Sequence, residues 1–355
     1  MQQSRLIVHA GTGKTATTYL QKTIFPRLCK ENVIVFLNED IKLISLLRYI
    51  INTISHLGLD NTLLIQYINE FRCRLNSKLT SPGLYLLSDE MIHGWDPGLF
   101  DHHLSLNKLL FKDLDISVEF LFVFRESESY LRSLYIQSLH QQNVTQSCND
   151  YFLKESEYLV ALKCLGSISS VNRILCAEKL DYRKIFREYS SNFSNVCALT
   201  MKEALQLQFI SEMNFPQKSH DLILSLNLVK KYSRKNISYS NVSISLTRYR
   251  EAALKFLDLT SLSSYKLNSN RLINILLTKH DLDLDSVSSH RSDVYPPLLK
   301  QFHILLSWRF FLQRIFDPFF RFPKADFPIP SYLYKEVIPK NNNFLKLHVK
   351  YRSTY

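Results

Sequence analysis

Apolar and polar positions divide the chain into short apolar runs separated by stretches with helical spacing. Continuous apolar runs, which are typical of strands buried on both faces of a sheet, lie at residues 5–10, 33–37, 84–87, 118–124 and 195–199. Between these runs, apolar residues recur at the spacing of one helix face, as in 15–28 and 128–142. Strands that alternate with helices predict an α/β fold, a three-layer α/β/α arrangement around a mainly parallel central sheet.

The part of the chain after about residue 217 has a helical pattern. It includes an aromatic and basic segment, 298–321, which is predicted to form a helix. Because aromatic stripes at helical spacing usually pack against a core, we expect a domain over 1–285 and a helical C-terminal extension over 286–355 that packs on it. The alternative is that 298–321 binds an anionic membrane surface as a peripheral helix.

A turn with two glycines follows the first predicted strand and precedes a helix. Its residues are Gly11, Thr12, Gly13, Lys14, Thr15, Ala16, Thr17 and Thr18. In this setting backbone N–H groups converge on an anion, and the positive end of the helix dipole makes the potential more favourable. The ammonium group of Lys14 would neutralise the leaving oxygen of a transferred group, and the Thr17 and Thr18 hydroxyls would donate to its remaining oxygens. The segment is therefore predicted to bind phosphate.

One interpretation of this segment is the phosphate loop of nucleoside triphosphatases, Gly-x-x-x-x-Gly-Lys-Ser/Thr. Residues 13–15 match its second half, but its first glycine falls on Val8, inside the predicted strand. Residues 88–90, Ser-Asp-Glu after the third predicted strand, are similar to a magnesium-binding strand end of such enzymes. A magnesium-dependent nucleotide kinase or triphosphatase therefore stays open as an alternative.

A second pair of residues is placed to hold a separate phosphate. Arg125 follows the fourth predicted strand, and Ser133 lies eight residues later in the next predicted helix. A planar guanidinium group pairs bidentately with phosphate oxygens, so an arginine and a hydroxyl at this spacing can contact one phosphate from two sides. A nucleoside triphosphatase has no second phosphate of this kind to bind.

Together the two motifs resemble those of P-loop sulfotransferases that use 3′-phosphoadenosine 5′-phosphosulfate (PAPS), and bacterial carbohydrate sulfotransferases in particular. Their loop pattern, Gly-x-x-Lys-x-Gly-Thr-Thr, is matched at Gly11, Lys14, Thr17 and Thr18, with Ala16 in place of the second glycine. The resemblance implies that residues 11–18 bind the 5′-phosphosulfate and that Arg125 and Ser133 bind the 3′-phosphate. It also implies in-line sulfuryl transfer to a hydroxyl or amine of a carbohydrate, with PAPS as donor co-substrate and without a metal.

The acceptor group needs a general base within hydrogen-bond reach. Glu39, after the second predicted strand, is the first candidate, since carbohydrate sulfotransferases of the heparan class have a glutamate in a similar position. A carboxylate here is equally typical of a helix N-terminus, and Glu90 and His93 are the alternatives. Because Ala16 departs from the pattern and the base is open, a catalytically inactive anion-binding relative is a third interpretation.

Charge and composition narrow the partners and the compartment. The formal net charge of +12 favours an anionic partner, such as a nucleotide or an anionic glycan or glycolipid. Nucleic acid is not expected, because the sequence has no recognition module and no aromatic-basic repeat. The sequence has no leader peptide and no run of about 18 apolar residues, and its cysteines are scattered. We therefore expect a cytoplasmic protein, with the inner membrane surface as the place of any peripheral contact.

Overall fold

A computed structural model of the chain describes residues 4–11, 15, 17–57, 62–94, 96–112, 114–141, 147–165, 174–219, 222, 242, 244–247, 249 and 328–352. The chain forms two compact units. The first consists of residues 1–130, 176–232 and 332–355, and the second of 131–175 and 233–331. The predicted domain boundary near residue 285 and the segment 298–321 lie outside the described residues, so both stay predictions.

The secondary structure of the described residues alternates between strands and helices, as the apolar pattern predicts. The strands are β1 (Arg5–His9), β2 (Val35–Phe36), β3 (Leu84–Ser88), β4 (Ser117–Phe124), β5 (Phe152–Leu153), β6 (Leu175–Cys176) and β7 (Asn195–Thr200). The helices are α1 (Thr17–Tyr19), α2 (Phe25–Lys30), α3 (Ile41–Leu57), α4 (Thr62–Lys78), α5 (Phe100–Phe111), α6 (Ser127–Gln141), α7 (Cys148–Tyr151), α8 (Glu155–Leu165), α9 (Tyr182–Ser190), α10 (Met201–Leu205), α11 (Phe209–Glu212) and α12 (Ile338–Arg352). A π-helical turn, Leu20–Ile24, joins α1 to α2, and another, Leu333–Val337, precedes α12.

The central sheet of the first unit is parallel throughout, with the strand order β2-β3-β1-β4-β7 among the described residues. The predicted α/β fold with a parallel sheet is therefore confirmed. β1 lies in the middle, where Val8 is in register with Leu87 of β3 and Phe120 of β4. The chain visits β2 and β3 on one side of β1 and then crosses to β4 and β7 on the other. The strand order thus reverses between β1 and β4, the place where parallel α/β sheets bind ligands.

The second strand is shorter than its apolar run predicts. Only Val35 and Phe36 pair with β3, and the chain then enters a 3₁₀ turn, Leu37–Glu39. The cause is Asn38, whose side chain accepts from the Ser88 backbone N–H at 2.8 Å and donates to the Ser88 carbonyl at 2.6 Å. An amide side chain thus takes the place of backbone pairing at the end of β3.

Helices cover both faces of this sheet, because residues alternate between the faces along each strand. On one face, the helical segment Thr17–Lys30 packs its apolar side chains against a cluster that includes Leu121 and Val123 of β4. On the other face, Phe122 and Phe124 contact the rings of Tyr189 and Tyr182 on α9. Among the helices that the structure describes, none is both long enough and apolar enough to cross a membrane.

Candidate functional site

The beginning of the predicted phosphate loop lies at the carboxyl end of the central strand β1. The backbone N–H of Ala10 donates to the carbonyl of Leu121 at 3.0 Å, so pairing with β4 continues up to Gly11. Thr15 and Thr17 are buried, and Thr17 begins α1 with Thr18 half-buried beside it. The other predicted loop residues, Thr12, Gly13, Lys14 and Ala16, lie outside the described residues.

The space beside Gly11 admits no side chain. A Cβ atom there would lie 2.3 Å from Cγ2 of Thr17, 3.2 Å from Nε2 of His9 and 3.4 Å from Oγ1 of Thr15. Because real Cβ atoms essentially never come within 3.0 Å of another heavy atom, glycine is required by this close packing. The strand end and the helix start are therefore in direct contact across the base of the loop.

A carboxylate that the sequence ranked second makes contact with the loop. The hydroxyl of Thr17 donates a hydrogen bond of 2.9 Å to Oε2 of the half-buried Glu90. Glu39, the first candidate, ends the 3₁₀ turn after β2 and is exposed, and no contact with the loop is found for it among the described residues. The geometry thus brings Glu90 to the loop and leaves Glu39 at the neighbouring strand end.

His93, the other candidate base, lies in the aromatic core of the first unit. Its ring contacts those of Phe100 and Phe122 at centroid distances of 5.9 and 5.7 Å. Burial disfavours the charged imidazolium and, with a smaller effect of the charge on His103, lowers the pKa of His93 to about 3. A histidine in this environment is a packing residue and a poor proton acceptor at neutral pH.

Asp89, which the nucleoside triphosphatase interpretation would assign to magnesium, already has charged and backbone partners. Its Oδ2 atom forms an ion pair of 2.6 Å with Nε of Arg48, and its Oδ1 atom accepts from the Met91 backbone N–H at 2.8 Å. The Asp89 side chain is only 1% exposed. Among the described residues, no group of three or more potential metal ligands is found.

A buried polar network connects the ends of β1, β3 and the turn after β2, and sequence reasoning missed it. Oγ of Ser88 lies 2.6 Å from Nδ1 of His9 and accepts from Nε2 of Gln21 at 3.1 Å, while Asn38 binds the Ser88 backbone. Burial lowers the pKa of His9 to about 3, so the imidazole is neutral. The available signal was a histidine at the end of an otherwise apolar strand.

Arg125 directly follows β4, the strand next to β1. Its guanidinium is largely buried, and burial lowers its pKa from the ordinary arginine value, although Glu126 and Tyr182 act in the opposite direction. The hydroxyl of Tyr182 donates to the Arg125 carbonyl at 3.0 Å, and the Tyr182 ring stacks on Phe124 at a centroid distance of 4.4 Å. The backbone that carries Arg125 is thus fixed by the start of α9.

The C-terminal helix α12 holds the same region, which the sequence did not predict. Asn341 is buried, and its amide accepts from the Tyr182 backbone N–H at 2.8 Å and donates to the Leu180 carbonyl at 2.9 Å. Asn342 accepts from the Ser127 backbone N–H at 3.1 Å and donates to Glu126 at 3.0 Å. Asparagine is unfavourable within helices, so its occurrence at consecutive helical positions was the signal that these side chains have binding partners.

Ser133, the predicted partner of Arg125, lies in the middle of α6 and is half-buried. Arg125 belongs to the first unit and Ser133 to the second. The joint binding of one phosphate by these two side chains stays a prediction from the sequence.

An open groove of about 870 Å³ lies on the first unit at the carboxyl ends of β4 and β7. Its lining combines two cationic side chains with amides and leucines: Glu126, Arg183, Thr200, Asn342, Asn343, Leu345, Lys346 and Leu347. Glu126 is the residue after Arg125, so this groove, which we call the α12 groove, begins beside the predicted phosphate-binding arginine. Its volume is in the range of sites that bind small organic molecules.

Comparison with known proteins adds no family to this geometry. No protein-family model matches the chain, and no curated protein matches it. The resemblance to sulfotransferases therefore depends on the two motifs and on the positions at which the fold places their described residues.

Proposed function

We propose that the chain transfers a sulfuryl group from PAPS to a hydroxyl or amine of a carbohydrate. The observation that carries this proposal is the position of Gly11 and Arg125 after the neighbouring strands β1 and β4, between which the strand order reverses. Parallel strands bring both residues to one edge of the sheet, where ligands of such sheets bind. Two anion-binding elements on adjacent strand ends are what a ligand with separate 5′ and 3′ anionic groups requires.

In the proposed reaction an acceptor oxygen or nitrogen attacks the sulfur of PAPS in line with the bond that breaks. The S–O bond to the 5′-phosphate is cleaved, its electron pair remains on the phosphate oxygen, and adenosine 3′,5′-bisphosphate leaves. The acceptor proton passes to a carboxylate of the protein. Lys14 and the loop amides offset the charge that develops on the leaving oxygen, as in other preorganised electrostatic sites, and the reaction then needs no metal.

Two carboxylates compete for the acceptor proton. The 2.9 Å hydrogen bond from Thr17 supports Glu90, because a base for sulfuryl transfer has to lie beside the loop that holds the transferred group. Glu39 is supported only by the resemblance. Glu90 is therefore the base that this proposal prefers, and Glu39 is its alternative.

Two observations weigh against the magnesium-dependent kinase or triphosphatase. Val8, where that loop would have its first glycine, is buried and paired on both sides within β1. Asp89, which would hold magnesium through its water shell, is neutralised by Arg48 instead. A shorter loop that begins at Gly11 agrees with both observations.

The proposal is tested by a thermal-shift titration of the intact protein with adenosine 3′,5′-bisphosphate, and with ATP in the presence and absence of magnesium. A ligand that binds only the folded state stabilises it by roughly 2.7 kcal/mol at a hundredfold excess over its Kd. We expect a magnesium-independent shift with the bisphosphate. A shift with magnesium-ATP alone would assign the chain to the alternative class, and bisphosphate binding without any turnover of PAPS would indicate the inactive relative.

The same titration tests the role of Arg125. Replacement by Ala removes a charge-assisted pair, so Arg125→Ala should weaken bisphosphate binding roughly tenfold or more while leaving the affinity for adenosine 5′-phosphate unchanged. Arg187→Ala is the matched control, because Arg187 is exposed and pairs with its neighbour Glu188. An equal loss for both nucleotides would remove the assigned role.

The α12 groove offers space for the organic part of a ligand, and Arg183 and Lys346 on its rim favour an anionic glycan or glycolipid acceptor. We also propose a cytoplasmic location with peripheral contact to the inner membrane surface through 298–321, which lies outside the described residues. Flotation with anionic vesicles tests this contact. Replacing the four basic residues of that segment by Gln in the full-length chain should abolish flotation, and equal flotation of the variant would contradict the proposed contact.

A further inference from the structure

We propose that His9 is a positioning residue of the phosphate loop, which acts by donating a hydrogen bond from Nε2 to the hydroxyl oxygen of Thr15. The donation leaves the Thr15 hydroxyl hydrogen free to bind the anion. The proposal rests on the proposed anion site, and it concerns two residues to which neither motif gives this role.

The geometry places both groups at one point beside Gly11. Nε2 of His9 and Oγ1 of Thr15 lie 3.2 and 3.4 Å from the position that a Gly11 Cβ atom would occupy. The His9 side chain is fully buried, and among the described residues Nε2 has no hydrogen-bond partner. A buried donor without a partner is costly, so a rearrangement of the loop that brings an acceptor to it is favourable. Anion binding is the event that would reorganise this loop.

The hydrogen bonds of Ser88 determine which ring nitrogen of His9 carries the proton. Oγ of Ser88 accepts from Nε2 of Gln21 at 3.1 Å and lies 2.6 Å from Nδ1 of His9. Since Ser88 already accepts one hydrogen bond, its own hydrogen is available to donate, and Nδ1 is the acceptor beside it. A neutral imidazole that accepts at Nδ1 carries its proton at Nε2, on the side of Gly11 and Thr15.

The contact also links the loop to the strand end that carries Glu39. Ser88 binds His9 through its side chain and Asn38 through its backbone, with both Asn38 hydrogen bonds shorter than 3 Å. A change in the loop that moves His9 therefore acts directly on the segment 38–39. His9 is in this way the connection between the anion and the neighbouring edge of the site.

The test compares variants that keep one ring nitrogen each. In His9→Gln the amide can reach the position of Nε2, whereas in His9→Asn it can reach only that of Nδ1. We expect His9→Asn to weaken binding of adenosine 3′,5′-bisphosphate about tenfold, and His9→Gln to retain most of the wild-type affinity. The reverse order, or equal affinity of both variants, would overturn the proposal.

A double-mutant cycle identifies Thr15 as the acceptor. Thr15→Val should weaken bisphosphate binding about tenfold, Thr15→Ser should restore it, and the double variant with His9→Asn should bind no more weakly than either single variant. Additive losses would mean that the two side chains act separately, against the proposal. If wild-type protein binds no bisphosphate, the proposed function fails and this inference with it; if binding is normal and independent of His9, only the inference fails.

A measurement on the wild-type protein covers the case in which a variant does not fold. The ¹⁵N NMR spectrum of the His9 ring distinguishes the two neutral tautomers. A proton on Nε2, with slowed exchange when bisphosphate is added, is the expected result. A proton on Nδ1 would overturn the assignment, because Nε2 could then donate nothing to the loop.

Discussion

The hydroxyl of Tyr182 at the start of α9 donates a hydrogen bond of 3.0 Å to the backbone carbonyl of Arg125 at the end of β4. Asn341 of the C-terminal helix in turn accepts from the Tyr182 backbone N–H at 2.8 Å. A single buried tyrosine therefore connects the C-terminal helix to the arginine proposed to bind the 3′-phosphate. The position of Arg125 depends on a segment more than 200 residues further along the chain.

This relationship predicts the effect of Tyr182→Phe. Loss of the hydroxyl leaves the Arg125 carbonyl without this partner, so the free energy of unfolding should fall by about 1 kcal/mol and bisphosphate affinity by a factor of a few. Tyr85→Phe is the matched control, because the Tyr85 hydroxyl donates to the Ser81 carbonyl at 2.6 Å, away from Arg125. Chemical denaturation and calorimetric titration measure the two effects. A loss of affinity of the same size in both variants would contradict the specific role of Tyr182.

The packing beside Gly11 predicts that alanine is not tolerated there. The added methyl group would lie 2.3 Å from Cγ2 of Thr17, so the start of α1 has to move away from β1. Gly11→Ala should abolish measurable bisphosphate binding and lower the melting temperature by several degrees. At Gly83 an added Cβ atom would have no atom within 4 Å, so Gly83→Ala should leave both quantities nearly unchanged. Unchanged binding in Gly11→Ala would exclude Gly11 from the anion site.

The hydrogen bond between Thr17 and Glu90 predicts which carboxylate accepts the acceptor proton. Glu90→Gln keeps the shape and a hydrogen-bond acceptor for Thr17 but cannot take up a proton, so kcat should fall roughly a hundredfold. The affinity for bisphosphate should stay the same, which separates catalysis from binding. Glu39→Gln is the paired variant and should retain most of its activity. Large loss in Glu39→Gln with normal activity in Glu90→Gln would transfer the role to Glu39.

Three buried histidines predict a protein that is destabilised by mild acid. Burial, with smaller contributions from neighbouring histidines for the last two, lowers the pKa of His9 to about 3, of His93 to about 3 and of His103 to about 4. These groups are neutral in the folded state but become protonated in the unfolded state below about pH 6.5, so the unfolded state binds more protons. Stability is therefore complete above pH 6.5 and falls as the pH decreases from there towards 4.

Urea denaturation at several pH values measures this effect. Each histidine contributes a slope of at most about 1.4 kcal/mol per pH unit, and the free energy of unfolding should rise with pH across the window. In His93→Phe the slope should decrease by the contribution of one group. A flat stability profile between pH 4.5 and 6.5 would show that the three side chains are accessible to protons in the folded protein.

The sequence by itself determined the sheet and the edge at which the candidate site lies. A run such as 118–124 is stable only where apolar side chains are buried on both faces, and runs of this kind, separated by helical stretches, permit little besides a parallel sheet. The order of the elements then puts the turn at Gly11 and the residue Arg125 at the carboxyl ends of strands. Local chemistry is sufficient for this, because propensity and apolar spacing act over a few residues.

Only the tertiary structure decided which polar side chains meet at that edge. The contact between His9 and Ser88 joins residues 79 positions apart, that between Thr17 and Glu90 joins residues 73 apart, and that between Tyr182 and Asn341 joins residues 159 apart. No local pattern encodes such pairs, because they depend on strand order and on the packing of helices against the sheet. For the same reason Glu39 ranked above Glu90 from the sequence, whereas the fold brings Glu90 to the loop and turns Asn38 towards Ser88.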